Sequence, residues 1–175
     1  MAKVFWFTGL SGAGKTTIAQ AAAAALRAEG YRVALLDGDN VRERLHRHLG
    51  FSNEDILENN RLIAGLCLDS LPDNDAIFVP VISPFEAGRR EARERIGDAF
   101  RLVHFSAPLG FVEKADVKGL YGRARSGELD NLIGVAEENP YQAPADADFE
   151  IDISRHSETA CIDRFVSYVR REIRD

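Results

Sequence analysis

The run Gly9-Leu10-Ser11-Gly12-Ala13-Gly14-Lys15-Thr16-Thr17 constrains this chain more than any other stretch. It follows Lys3-Val4-Phe5-Trp6-Phe7-Thr8, which is β-branched and aromatic over most of its length and reads as a buried strand. Beyond it, Ile18-Ala19-Gln20 and a string of alanines read as a helix stopped near Glu29-Gly30. A strand, a G-x-x-x-x-G-K-[ST] loop and a helix in that order form a polyphosphate cradle. Glycines let successive backbone N–H groups turn inward, and the helix brings its positive amino end to the same place. Lys15 is placed to reach the β- and γ-phosphates of a triphosphate such as ATP, and the Thr16 hydroxyl to ligate Mg²⁺.

With 175 residues, 45% hydrophobic and 29% charged, the chain is expected to form one domain over 1–175 with a single sizeable core. A net charge of −6 argues against nucleic-acid or anionic-membrane partners. Met1 leads straight into the first strand, which leaves no room for a leader peptide, and no apolar run nears the roughly 20 residues that span a bilayer. Cys67 and Cys161 match no metal spacing and read as reduced core thiols. These features fit a cytoplasmic enzyme.

Further strands are expected at Arg32–Leu36, Ala76–Ile82, Arg101–Phe105 and Phe149–Ile153. Helices are expected over 40–71 in two pieces broken near Leu49-Gly50-Phe51-Ser52, over 86–99 and over 157–174. Ser52 is suited to cap the second piece, with Glu54 and Asp55 in its first turn. The stretch 107–147 shows weak periodicity with many Gly, Pro, Lys and Arg, the pattern of a functional lid. Alternating strands and helices indicate an α/β fold with a mainly parallel five-stranded sheet.

A triphosphate site alone fits a switch GTPase, a motor or a small-molecule kinase. The base-reading Asn-Lys-x-Asp of a GTPase is missing, since Glu113-Lys114-Ala115-Asp116 lacks the Asn. The third strand ends in Ile82-Ser83-Pro84, without the acid that commonly helps hold Mg²⁺. Asp37 and Asp39, at the carboxyl end of the second strand, are the suppliers to hand. One can hold the metal's water while the other accepts a proton from an attacking hydroxyl. The bland alternative is that Asp37-Gly38-Asp39-Asn40 is only a turn and helix cap. His46 and His48, two apart on a helix, do not share a face as metal ligands would.

The loop, Leu36-Asp37-Gly38-Asp39-Asn40-Val41-Arg42, Leu49-Gly50-Phe51-Ser52, Glu58-Asn59, Ile82-Ser83-Pro84-Phe85, Arg89 with Arg93, Lys118-Gly119-Leu120-Tyr121 and Pro140-Tyr141 together resemble the adenylyl-sulfate (APS) kinase family over about 3–153. The resemblance implies a P-loop NTPase, nucleotide-kinase-like three-layer fold with a lid. It also implies transfer of the ATP γ-phosphoryl to the 3′-hydroxyl of adenosine 5′-phosphosulfate, giving PAPS in sulfate assimilation. Gly9 to Thr17 would then hold ATP·Mg²⁺, with Thr16 and Asp37 at the metal and Asp39 as base or orienter. Arg42, Phe51 and Asn59 would contact the sulfonucleotide, the Ile82-Ser83 backbone would line its pocket, and Lys118 would close with the lid. Some family members carry a phosphoserine at the position of Ser83; in-line transfer needs no such carrier, so Ser83 is read as shaping the pocket. Family members often pair as homodimers.

Three positions depart from the family. Ile56 stands where an Arg meets the phosphosulfate, Ala115 where an Arg packs on the ATP adenine, and Leu132 where a Phe sandwiches the substrate adenine against the residue aligned with Phe51. The acceptor side is therefore altered while the phosphoryl-transfer side is intact. The alternatives are a related activated nucleotide such as cytidine 5′-diphosphoramidate as acceptor, or a catalytically inactive nucleotide-binding module.

Overall fold

The computed structural model describes residues 1–116, 118–137 and 139–174. Its regular elements are Lys3–Thr8 (β1), Lys15–Ala28 (α1), Val33–Leu35 (β2), Gly38–Arg44 (α2), Asn53–Ser70 (α3), Ala76–Val79 (β3), Glu86–Ile96 (α4), Phe100–Phe105 (β4), Leu109–Ala115 (α5), Leu120–Arg125 (α6), Phe149–Ile151 (β5) and Glu158–Arg174 (α7). The five strands form one sheet in the order β2-β3-β1-β4-β5, and every pairing between them is parallel.

All residues of β1 are buried, because the strand lies at the centre of the sheet with helices on both faces. Alternation then divides its side chains. Phe5 and Phe7 enter a core shared with α1 and α7, whereas Val4 and Trp6 enter one shared with α3 and α4. The alanine-rich sequence of α1 has a packing cause: Ala19, Ala22 and Ala23 are fully buried, and small side chains let the helix lie close on the sheet. Phe165 of α7 is the hub of the first core. Its ring lies 5.9 Å from Phe5, 5.3 Å from Phe7, 5.1 Å from Phe78 and 6.2 Å from Phe149.

The expected third strand over Ala76–Ile82 is shorter in the structure and ends at Val79. Pro80 has no N–H to continue the ladder, although its carbonyl still accepts from Gly38 N at 3.2 Å. Between α3 and β3 the chain makes a 3₁₀ turn over Leu71–Asp73. The stretch 107–147 is less irregular than its sequence suggests, since it contains α5 and α6. Each is a turn or two long, too short for a hydrophobic period to show, and each is anchored by one buried side chain, Val112 and Tyr121. Val117 and Glu138 of that stretch lie outside the described residues. Cys67 and Cys161 are free and buried, one in each core.

Replacing Phe165 with Ala is expected to cost about 3–5 kcal/mol, measured by urea unfolding, because it empties the point where four rings converge. A loss below 1 kcal/mol by the same measurement, well under what a large core deletion removes, would show that the core collapses around the gap.

Candidate active site

Parallel pairing sends the carboxyl ends of all the strands to one edge, and the strand order reverses on either side of β1. The loop 9–14 sits in that crevice, where open α/β sheets bind ligands. Gly9 begins the loop against β4: a Cβ there would lie 2.7 Å from the Phe105 carbonyl oxygen. Gly14 ends it in a left-handed conformation, φ 78°, and no side chain caps α1. The first backbone N–H groups of α1 thus have no side-chain cap, as a phosphate cradle requires.

Lys15 lies buried beneath this loop and donates from Nζ to the carbonyls of Gly9 at 2.9 Å and Leu10 at 2.7 Å. Burial lowers its pKa from 10.5 to about 7, Lys118 adds to the fall, and Asp39 and Asp37 oppose it. One residue on, the Thr16 hydroxyl donates to Asp37 Oδ2 at 2.9 Å. The other oxygen of Asp37 accepts from Asp39 N at 3.1 Å and Asn40 N at 3.2 Å, capping α2. The cap and the acidic site are therefore one carboxylate doing two jobs. Hydroxyl and carboxylate oxygens are the donor set of a hard cation that takes its remaining ligands from phosphate and water. Among the described residues no cluster of three or more His, Cys, Asp or Glu forms a metal site of its own.

Asp39 projects from the first turn of α2 and meets Lys118 at 2.6 Å. The two side chains are 80% and 55% exposed, so the pair adds little stability and stays open to competition from a ligand. Beside it Arg42 donates to the carbonyls of Leu49 and Gly50 and lies 4.7 Å over the Phe51 ring. Asp39, Arg42, Glu43, Arg47, Leu49 and Phe51 line an open cavity of about 400 Å³.

The structure thus brings together the loop, Lys15, Thr16, Asp37, Asp39, Lys118, Arg42 and Phe51. It treats four other expected positions differently. Asn59 is buried, and its Oδ1 pairs with His46 Nδ1 at 2.9 Å, which gives that histidine a structural partner. Leu132 is buried in the core that also contains Leu10, and it is not among the residues lining the cavity at Phe51. Ile56 is also buried, at 5% exposure, on α3. Ser83 is 2% exposed, and its Oγ accepts from Trp6 Nε1 at 3.1 Å and Asn60 Nδ2 at 3.0 Å. That hydroxyl points into the α3 side of the sheet, which suits a residue that shapes the turn.

Trp6, Thr8, Asn60, Arg89 and Tyr141 complete the turn after β3, and their roles there were less legible in the sequence. Thr8 Oγ1 lies 2.9 Å from Ile82 O, 3.0 Å from Ser83 O and 3.0 Å from Tyr141 OH. Arg89 Nη1 donates to Ser83 O at 2.9 Å, while its buried Nε has no partner among the described residues. Two signals were available: an indole N–H inside a strand that must be buried, and an arginine matched to a family motif.

The family model described as adenylylsulphate kinase matches residues 1–152. Curated relatives include the adenylyl-sulfate kinase of Halothermothrix orenii, 43% identical over 171 residues, covering 95% of this chain and 89% of the relative. That of a Picosynechococcus species is 50% identical over 146 residues, 83% of this chain and 80% of the relative. Among solved structures, the APS kinase CysC of Mycobacterium tuberculosis in complex with AMPPNP and APS superposes with a TM-score of 0.88 at 35% identity, covering 99% of this chain and 98% of that one. With the family model matched over 1–152 and curated relatives 43% and 50% identical over most of its length, this chain belongs to the adenylyl-sulfate kinase family.

Proposed function

We propose that the protein transfers the γ-phosphoryl group of ATP to the 3′-hydroxyl of adenosine 5′-phosphosulfate, forming PAPS. The observation that carries this reading is the side-by-side placement of two aspartates with different partners. Asp37 is tied to the loop through Thr16, and Asp39, two residues on, is tied to Lys118. A metal-side acid and an acceptor-side acid on one helical turn are what in-line transfer to a hydroxyl needs. The relative solved with AMPPNP and APS, similar over nearly its whole length, supports the same donor and acceptor.

In this reading residues 9–17 hold the triphosphate, and Lys15 leaves the Gly9 and Leu10 carbonyls for the β/γ-phosphates. Thr16 and Asp37 would hold Mg²⁺, which would supply positive charge to neutralise the triphosphate. Asp39 orients the ribose hydroxyl and accepts its proton, and Lys118, released from Asp39, meets the charge of the transferred group. Arg42 and Phe51 bind the acceptor nucleotide on the cavity side, with Asn59 behind them held by His46. The Ile82-Ser83 backbone walls the pocket, and 107–147 acts as the lid.

Asp39→Asn is expected to lower kcat for APS-dependent ADP release about 10²–10⁴-fold, the range for removing a general base, with Mg·ATP affinity little changed. The decisive assay gives the enzyme Mg·ATP and a panel of adenosine and cytidine 5′-anhydrides. ADP release with APS is expected, and release with another acceptor but not APS would sink the reading.

Lys15 adds a pH test. Its pKa in the free protein is about 7 because burial disfavours the charged form, and phosphate oxygens favour that form. Binding Mg·ATP above pH 7 should therefore take up a proton, an effect that fades below pH 7, where Lys15 is already charged. Calorimetry at pH 8 in buffers of differing ionisation enthalpy checks this, and net proton release would contradict it.

A further inference from the structure

We propose that Tyr141 is a positioning residue for the acceptor pocket, its hydroxyl tying the returning leg of the lid through Thr8 to the Ile82-Ser83 backbone. The inference builds on the proposed reaction only for the identity of the acceptor.

Thr8 Oγ1 has one proton and lies within bonding distance of the Ile82 and Ser83 carbonyls, at 2.9 and 3.0 Å. With that proton on one of these carbonyls, the third contact, Tyr141 OH at 3.0 Å, takes the tyrosine as donor to Thr8. Burial raises the Tyr141 pKa, which keeps the phenol a donor. The order of donation is then Tyr141 to Thr8 to the backbone of the turn after β3.

That turn needs holding. Ser83 has φ 42°, a left-handed conformation that a serine keeps only where its surroundings over-determine it. The surroundings do so from several directions: Arg89 Nη1 on its carbonyl, Trp6 and Asn60 on its hydroxyl, and Thr8 beside them. Ile82 O also accepts from Gly9 N at 3.2 Å, so the wall of the pocket is fastened to the first residue of the phosphate loop.

Tyr141 joins the lid to this set, and its chain neighbour secures the same leg. Gln142 N donates to Pro84 O at 2.9 Å, and Gln142 Oε1 accepts from Glu86 N, the start of α4, at 2.7 Å. The Tyr141 ring lies nearly parallel to His104 at the end of β4, centroids 6.3 Å apart. The leg is thereby fastened to β1, β4 and both sides of Ser83. A lid that shifts at Tyr141 releases the Thr8 hydroxyl, and with it a constraint on the wall against which the acceptor packs.

Tyr141→Phe keeps the ring and removes the hydroxyl, and Thr8→Val keeps the shape and removes the relay. Each is expected to raise KM for APS about two- to tenfold, the worth of one neutral hydrogen bond, while kcat and KM for Mg·ATP stay within about twofold. The double variant should be no worse than either single one, because both cut one chain. Additive losses, a parallel rise in KM for Mg·ATP, or an APS effect under about twofold would overturn the proposal. An activity-independent readout comes from Trp6, the chain's single tryptophan, whose indole is bonded to Ser83. Its emission maximum should move in both variants without any substrate, at an unchanged urea midpoint; an unmoved maximum removes the link to Ser83. If the native enzyme ignores APS, the reaction assignment fails, while the emission of the variants still decides whether Tyr141 sets the turn.

Discussion

Everything in this molecule depends on β1 being buried on both faces between two parallel neighbours. A strand in that place must be apolar throughout, and Val4, Phe5, Trp6 and Phe7 are. It must also end abruptly, because its carboxyl end opens into the crevice where the strand order reverses. The glycine loop begins at that point, and Asp37 after β2 and Ile82-Ser83 after β3 arrive at the same edge because the pairing is parallel. Hydrophobic burial fixes the strands, and their shared direction brings the polar groups together.

The electrostatics of the site run against those of the whole chain. The net charge is −6, yet Lys15 and Lys118 stand close enough that each charge raises the cost of the other at Lys15. The loop's own carbonyls satisfy Lys15, and Asp39 satisfies Lys118. Both cations are thus held in place by bonds that a polyphosphate can replace, one buried and costly to leave unpaired, the other exposed and cheap to exchange.

The acceptor side shows how tertiary packing reassigns residues. Leu132 and Ile56, the two departures expected to weaken it, are both buried rather than lining the open cavity beside Phe51. Ser83 receives Trp6 and Asn60 as donors on its hydroxyl and Arg89 on its carbonyl, with the Thr8 hydroxyl alongside, so its side chain and backbone both serve the geometry of one turn.

How much of this was legible in the sequence can be traced residue by residue. The loop, the helix that follows and the paired aspartates could be read because they are local: their chemistry lies within a few consecutive residues, and glycine spacing has a direct backbone meaning. The strands could be read from their apolar runs, though Pro80 ended β3 sooner than the run suggested. α5 and α6 could not, since one buried anchor apiece leaves no period to detect. The partners of Thr8, Ser83, Asn59 and Tyr141 were also beyond reach. Tyr141 meets Thr8 across 133 positions and Trp6 meets Ser83 across 77, distances over which sequence carries no pairing rule. The sequence by itself determined the glycine loop after β1 and the helix behind it, because a phosphate cradle is made of backbone geometry. Only the tertiary structure decided which side chains hold the turn after β3, because they do so by hydrogen bonds that exist once the sheet has brought its edges together.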